Sequence, residues 1–255
     1  MKILIVLIKF EKKGVGGVTR VVKNIKQLFE KKGHQVEIIS REDDLNCFSV
    51  KQSFFKLRKE VNKRDYDILY TQDWSCALPF LNYKNHYCCH HGLTPSKIGR
   101  FLQKIVGKVM KERTISVGPP VKKMFPKSNL INNGFNPEEF KDLNKERKYF
   151  GWVNKGTEIV TEEEMREMAK EKGLKLSIAK GIPTEKMNEW YNTLKVFASY
   201  PPGYVGFNLV WIEAKASGVP VVLGNENGIG IKKINEDWRE MTWENHVDKL
   251  LEAFK

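Results

Sequence analysis

The sequence holds only 4 cysteines in 255 residues. Cys47, Cys76, Cys88 and Cys89 make no Cys-x-x-Cys pair and have no matching histidine spacing, which excludes a cysteine-built zinc site and a disulfide framework and leaves reduced, partly buried thiols. Cys88 and Cys89 are neighbours in an expected strand and so point to opposite faces. Long apolar runs are missing as well. The longest near the start, 3–8, is too short for a spanning helix or the core of a signal peptide and fits a buried parallel strand, so a cytoplasmic location is expected. No internal repeat or low-complexity tract is visible.

An acidic surplus is absent too: the formal charge is +13. Residues 1–140 carry 26 Lys and Arg against 13 Asp and Glu, whereas residues 141–255 carry 18 against 18, so the whole excess lies in the first half. A basic half can attract nucleic acid, an anionic membrane or a phosphorylated substrate, and charge alone does not choose among them.

What is present is a regular alternation. Short apolar runs near 2–8, 35–40, 67–71, 86–90, 113–117 and 129–132 are separated by helical periodicity, and a polar stretch at 136–148 reads as a linker. A second, shorter series follows at 148–153, 174–179, 194–199 and 220–224. The pattern predicts an α/β protein with two doubly wound, Rossmann-like domains, 1–140 and 141–255.

The most informative stretch is 203–222, GYVGFNLVWIEAKASGVPVV. A glycine-flanked loop opens a helix, whose free backbone N–H groups at Phe207, Asn208 and Leu209 and positive dipole end suit a diphosphate. Glu213 is expected two turns into that helix, where its carboxylate could accept hydrogen bonds from a ribose diol. Gly218 and Pro220 stop the helix, and Val221 to Leu223 return the chain to a sheet.

This run resembles the donor-site signature of glycosyltransferase family 4, a Glu, seven residues, a second Glu, then Ala and a Gly-x-Pro-Val-Val ending. Phe207, Leu209, Glu213, Ala214, Ala216, Gly218, Pro220, Val221 and Val222 are in register, while Val205 occupies the place of the first Glu. Gly16 and Gly17 resemble the family's glycine loop, His91-Gly92 its His-Gly after a strand, and 133–136 its interdomain turn. The segment 151–156 resembles a shortened phosphate-binding motif in which Lys155 matches the lysine and Trp152 stands in place of the arginine. Residues 179–183 look like the turn that contacts the nucleobase, with Gly181 at its centre.

The resemblance implies a GT-B fold with an acceptor-side first domain, a donor-binding second domain and a cleft between them. It implies transfer of a hexose-type sugar from a nucleotide diphosphate to a hydroxyl acceptor, with retention at the anomeric carbon. His91 and Lys155 take the catalytic positions; Gly16, Gly17, Gly181, Phe207, Asn208, Leu209 and Glu213 the donor; and Asp73 the acceptor, although an Asp after a strand is also a common helix cap. No metal or other cofactor is expected, because no carboxylate cluster of the magnesium type adjoins these motifs. Slow or absent turnover on the same scaffold is the alternative, since Val205 and Trp152 replace polar positions. A nicotinamide enzyme using Gly14 to Gly17 and the acidic residues after the second strand fits less well, because the third glycine of that fingerprint falls on Thr19.

Residues 97–113 form an amphipathic basic helix. Ile98, Phe101, Leu102, Ile105, Val106, Val109 and Met110 share one face, expected on the sheet. Lys97, Arg100, Lys104, Lys108 and Lys111 make the other, able to meet anionic head groups. Exposed aromatics within 51–64 would favour a membrane over nucleic acid. A peripheral place on the inner membrane face and a lipid-linked or anionic acceptor are therefore expected, and no nucleic-acid partner.

Overall fold

The structure is a computed structural model. It describes residues 1–10, 16–154, 158–225 and 231–255, apart from the side chains at 232 and 233. The chain divides into two compact units, Met1–Asn132 with His246–Lys255, and Asn133–Asn245.

The first unit runs β1 (Lys2–Leu7), α1 (Gly17–Lys31), β2 (Gln35–Ser40), α2 (Val50–Val61), β3 (Ile68–Gln72), α3 (Trp74–Ala77), β4 (His86–His90), α4 (Lys97–Met110), β5 (Thr114–Ser116), α5 (Pro119–Met124) and β6 (Asn129–Leu130). The strands are parallel in the order β2-β1-β3-β4-β5-β6. The central strands β1 and β3 are buried on both faces, and in β1 the apolar residues run almost continuously; β2 and β6, at the edges, are partly exposed. Leu4, Val6 and Leu69 face Leu57, Val61 and Phe80 on one side. On the other, Phe254 packs on Tyr70, Tyr87 and Phe29.

The second unit runs β7 (Tyr149–Val153), α6 (Glu162–Glu171), β8 (Lys175–Ala179), α7 (Thr184–Tyr191), β9 (Leu194–Ala198), α8 (Leu209–Ala216), β10 (Val221–Leu223) and α9 (Ile231–Asp237), and the chain then enters α10 (Trp243–Ala253). Its parallel sheet has the order β10-β9-β7-β8. Renumbered from its own first strand, that is the first unit's order over four strands. Thr161 and Glu164 close a reciprocal capping box at the start of α6, which satisfies two backbone donors of the first turn.

Two details depart from the sequence reading. The segment expected to be a linker is fastened to the second unit: Phe140 is buried, Leu143 N donates to Asn192 Oδ1, and Arg147 donates to the Tyr191 and Ser217 carbonyls. The boundary between units falls at Asn132 and again inside α10, rather than once at 140. The entry and exit of the second unit run side by side, with Phe135 N donating to Met241 O and Trp243 N to Phe135 O. Gly134 lies between them, and a Cβ there would come within 2.3 Å of the Thr242 backbone.

Candidate functional site

In an open parallel sheet, ligands bind outside the carboxyl ends of the strands where the strand order reverses. In the second unit that point lies between β7 and β9. Its loops are the one after β7, where Lys155 lies outside the described residues, and the one from β9 into α8.

A knot of hydrogen bonds braces the second loop. Ser199 Oγ donates to Glu158 Oε1, Asn208 Nδ2 donates to Ser199 Oγ, and Trp211 Nε1 donates to the Ser199 carbonyl. Asn208 is thus the residue before α8, but its side chain turns away to Ser199 and does not cap the helix. The first-turn N–H groups of α8 therefore have no side-chain cap, which is the arrangement an anion needs. Phe207 and Leu209 turn their side chains into the core and can offer only backbone. Val205 stands in the preceding turn, its N–H donating to Pro202 O.

Glu213 lies little more than one turn into α8, not two, because the helix begins at Leu209. Its side chain is 2% exposed on a helix buried almost all round, and the Tyr191 hydroxyl donates to its Oε2 at 3.3 Å. Trp152 is a core residue, packed with Phe150, Met165 and Ala169, so a guanidinium could not replace it without burying a charge. Gly181 turns the chain after β8 with φ +69°, and the space beside its Cα is open.

In the first unit the order reverses between β1 and β3. Gly16 is the residue before α1 and Gly17 its first; a Cβ on Gly17 would meet nothing within 4 Å, and the first turn of α1 holds no acidic side chain. Asp73 follows β3 and caps α3, accepting from Ser75 N at 2.9 Å. It does so at φ 87° and ψ 148°, a region that costs a non-glycine residue about 1–3 kcal/mol and recurs at functional sites. Burial raises its carboxyl above the usual range, opposed by the Ser75 hydrogen bonds and by the Arg41 charge.

His91 follows β4, and its Nε2 donates to Gln72 Oε1 at 2.8 Å, which leaves Nδ1 as an acceptor. Burial, and then the neighbouring His246, push its imidazole down to about 4. It is thus neutral near pH 7 and suited to orient a hydroxyl rather than to carry charge. His90 points the other way, is fully buried between Gln103 and Phe125, and is pushed by burial to about 3; it does not reach solvent.

Arg41, which the sequence reading did not single out, lies at the same strand edge. It follows β2, is 5% exposed, donates to Ser75 Oγ at 3.3 Å and approaches Glu42 at 3.6 Å. Its Nε and the Gln72 Nε2 are buried without a hydrogen-bond partner. A basic residue after a strand, at the carboxyl edge, was the available signal. The acidic residues beside it close the turn after β2, with Asp43 accepting from Phe10 N and Asp44 from Ser40 N. They are occupied in the way that argues against a ribose-binding acid of the dinucleotide type.

Among the described residues no cluster of His, Cys, Asp or Glu could hold a metal ion, and no helix is long and apolar enough to cross a membrane. The four cysteines are buried and free.

No family model matches this sequence, and no curated protein matches it. Solved structures do match over the whole chain. A lipopolysaccharide outer core galactosyltransferase in its apo form aligns with a TM-score of 0.62 at 10% identity, over 99% of each chain. Sucrose-phosphate synthase from Thermosynechococcus elongatus aligns at 0.59 and 15% identity, over 100% of this chain and 95% of its own. Anabaena HepE in complex with UDP aligns at 0.57 and 13% identity, over 100% and 96%. At such identities the likeness establishes the fold: α/β, with Rossmann-like parallel-sheet units of the kind that GT-B glycosyltransferases share.

Proposed function

We propose that this chain is a nucleotide-sugar-dependent glycosyltransferase that moves a hexose-type sugar from a nucleotide diphosphate donor to a hydroxyl acceptor, with retention. The observation that carries the proposal is the α8 start: first-turn N–H groups without a side-chain cap at a topological switch point, with Glu213 one turn further on. Charge grows on the departing diphosphate, so fixed N–H dipoles and the Lys155 ammonium would stabilise the transition state more than the ground state. Glu213 would receive the ribose hydroxyls. In the first unit, His91 as neutral imidazole and Asp73 would position the sugar and the acceptor, and Gly16 and Gly17 would let the donor approach α1. No metal is required in this scheme, because the cation and dipoles take its place. The excess basic charge of residues 1–140 supports a lipid-linked or otherwise anionic acceptor at the inner membrane face.

A second reading, a nucleotide- or sugar-binding protein of little turnover, is favoured by Val205 and by the burial of Trp152. Titration calorimetry with several nucleoside diphosphates, beside hydrolysis assays of the matching sugar donors, separates the two. Turnover of a donor supports the transferase; tight binding with no turnover for any donor or acceptor removes it.

A further inference from the structure

Helix α4 packs only part of the apolar face that its periodicity predicts: Val106 and Met110 are buried and Leu102 packs beside them, whereas Ile98, Phe101, Ile105 and Val109 are exposed. The residues it turns inward are Gly99, Gln103, Val106, Gly107 and Met110. Two glycines let it approach closely: a Cβ on Gly107 would lie 2.3 Å from the Phe125 ring, and one on Gly99 2.5 Å from Thr94. Gln103 then fixes the rotation, accepting from Thr94 N and donating to the Gly92 carbonyl and toward His90.

That rotation leaves a stripe of large apolar side chains outside. Ile98 is 77% exposed and Phe101 63%, with Ile105 and Val109 beside them. Scattered apolar residues on a surface need no explanation, but a contiguous stripe on one helix does. The exposed Lys97, Lys104 and Lys108 border it on one side. Between α4 and the segment after α5 lies a groove of about 570 Å³. Phe101, Ile105, Met124 and Phe125 form its apolar wall, Lys104, Lys108, Lys111 and Lys127 its rim, and no carboxylate lines it. Phe48, just before α2, and Phe55, midway along it, are also exposed, and α2 belongs to the same helical layer, since α3 touches both α2 and α4.

An apolar groove rimmed by four ammonium groups is complementary to an amphiphile with an apolar tail and an anionic head. We propose that this face docks on a bilayer containing anionic phospholipid, with Phe101 and Ile105 entering the acyl boundary and the four lysines meeting phosphates. The proposal deepens the membrane part of the function above and rests on that part alone. Nucleotide binding by the second unit can succeed or fail separately.

The test uses the full chain and sedimentation with vesicles of phosphatidylcholine, alone or mixed with phosphatidylglycerol, at low and high salt. Binding is expected only to the mixed vesicles and to weaken with salt. F101S/I105S and, separately, K104E/K108E/K127E should each weaken it roughly tenfold or more, while binding of UDP, measured by calorimetry, stays unchanged. Free inorganic phosphate at millimolar concentration should not release the protein. No binding to the mixed vesicles at low salt overturns the proposal. So does loss of binding in the charge variant alone with the apolar variant unaffected, since that marks a surface for soluble polyanions.

Discussion

Helices α8 and α4 invert the usual rule in opposite directions. Helix α8 buries a carboxylate, whereas α4 exposes phenylalanine and isoleucine. Either choice costs stability: a buried polar group must recover its lost hydration through hydrogen bonds, and an exposed apolar stripe forgoes burial worth about 25 cal/mol per Å². Closing the hydrophobic core requires neither, and the two helices are therefore where the proposals above are tested. The proposals assign a small, polar ligand to α8 and an extended, amphiphilic one to α4.

The largest effect that would sharpen this contrast is at Trp211, fully buried in α8 with its Nε1 bound to Ser199. Trp211→Ala should cost about 3–5 kcal/mol of stability in urea titrations. The exposed Phe101→Ser in α4 should change it by less than about 0.5 kcal/mol. Similar costs for the two would mean that α4 is packed after all.

Acid should separate the units almost as strongly. All five histidines lie in the first unit and none in the second. Burial pushes His86 and His90 to about 3, below the ordinary imidazole value. The unfolded chain therefore binds protons that the folded one refuses, and stability is lost as pH falls through about 6.5 toward the folded values. At up to about 1.4 kcal/mol per pH unit for each buried imidazole once the unfolded one is mostly protonated, the two cost the first unit on the order of 3 kcal/mol between pH 6.5 and 5. Hydrogen exchange read peptide by peptide, corrected for intrinsic rates, should show protection falling in the first unit before the second. Simultaneous loss would break the comparison.

Glu213→Ala should weaken the binding of the nucleoside diphosphate selected by the calorimetric screen above by roughly 1–3 kcal/mol, and unchanged affinity would remove the ribose assignment. Glu213→Gln keeps the shape and the contact with Tyr191, so a loss there as well would locate the effect in the carboxylate charge. Smallest of all, F101S should leave that same affinity within experimental error.

The strands were legible to within a residue or two, because a parallel strand buried on both faces leaves an apolar run that few other elements imitate. The end of α8 was legible because a glycine, a proline and a strand follow at fixed spacing. Neither the depth of Glu213 nor the rotation of α4 could be read. Both depend on partners distant in sequence, Tyr191 for the first and Phe125 and Thr94 for the second. The burial of Arg41 could not be read either, because its partner Ser75 belongs to α3, distant in sequence.

The place where α10 changes units has a consequence for biosynthesis. Asn133–Asn245 is an insertion in the chain of the first unit, and Phe254, which covers Phe29, Tyr70 and Tyr87, is made only after the whole insertion. A ribosome that has delivered every strand of the first sheet has still not delivered the cover for one of its faces. The second unit, by contrast, has its two ends bonded to each other in the finished fold and is complete in sequence before Phe254 is made.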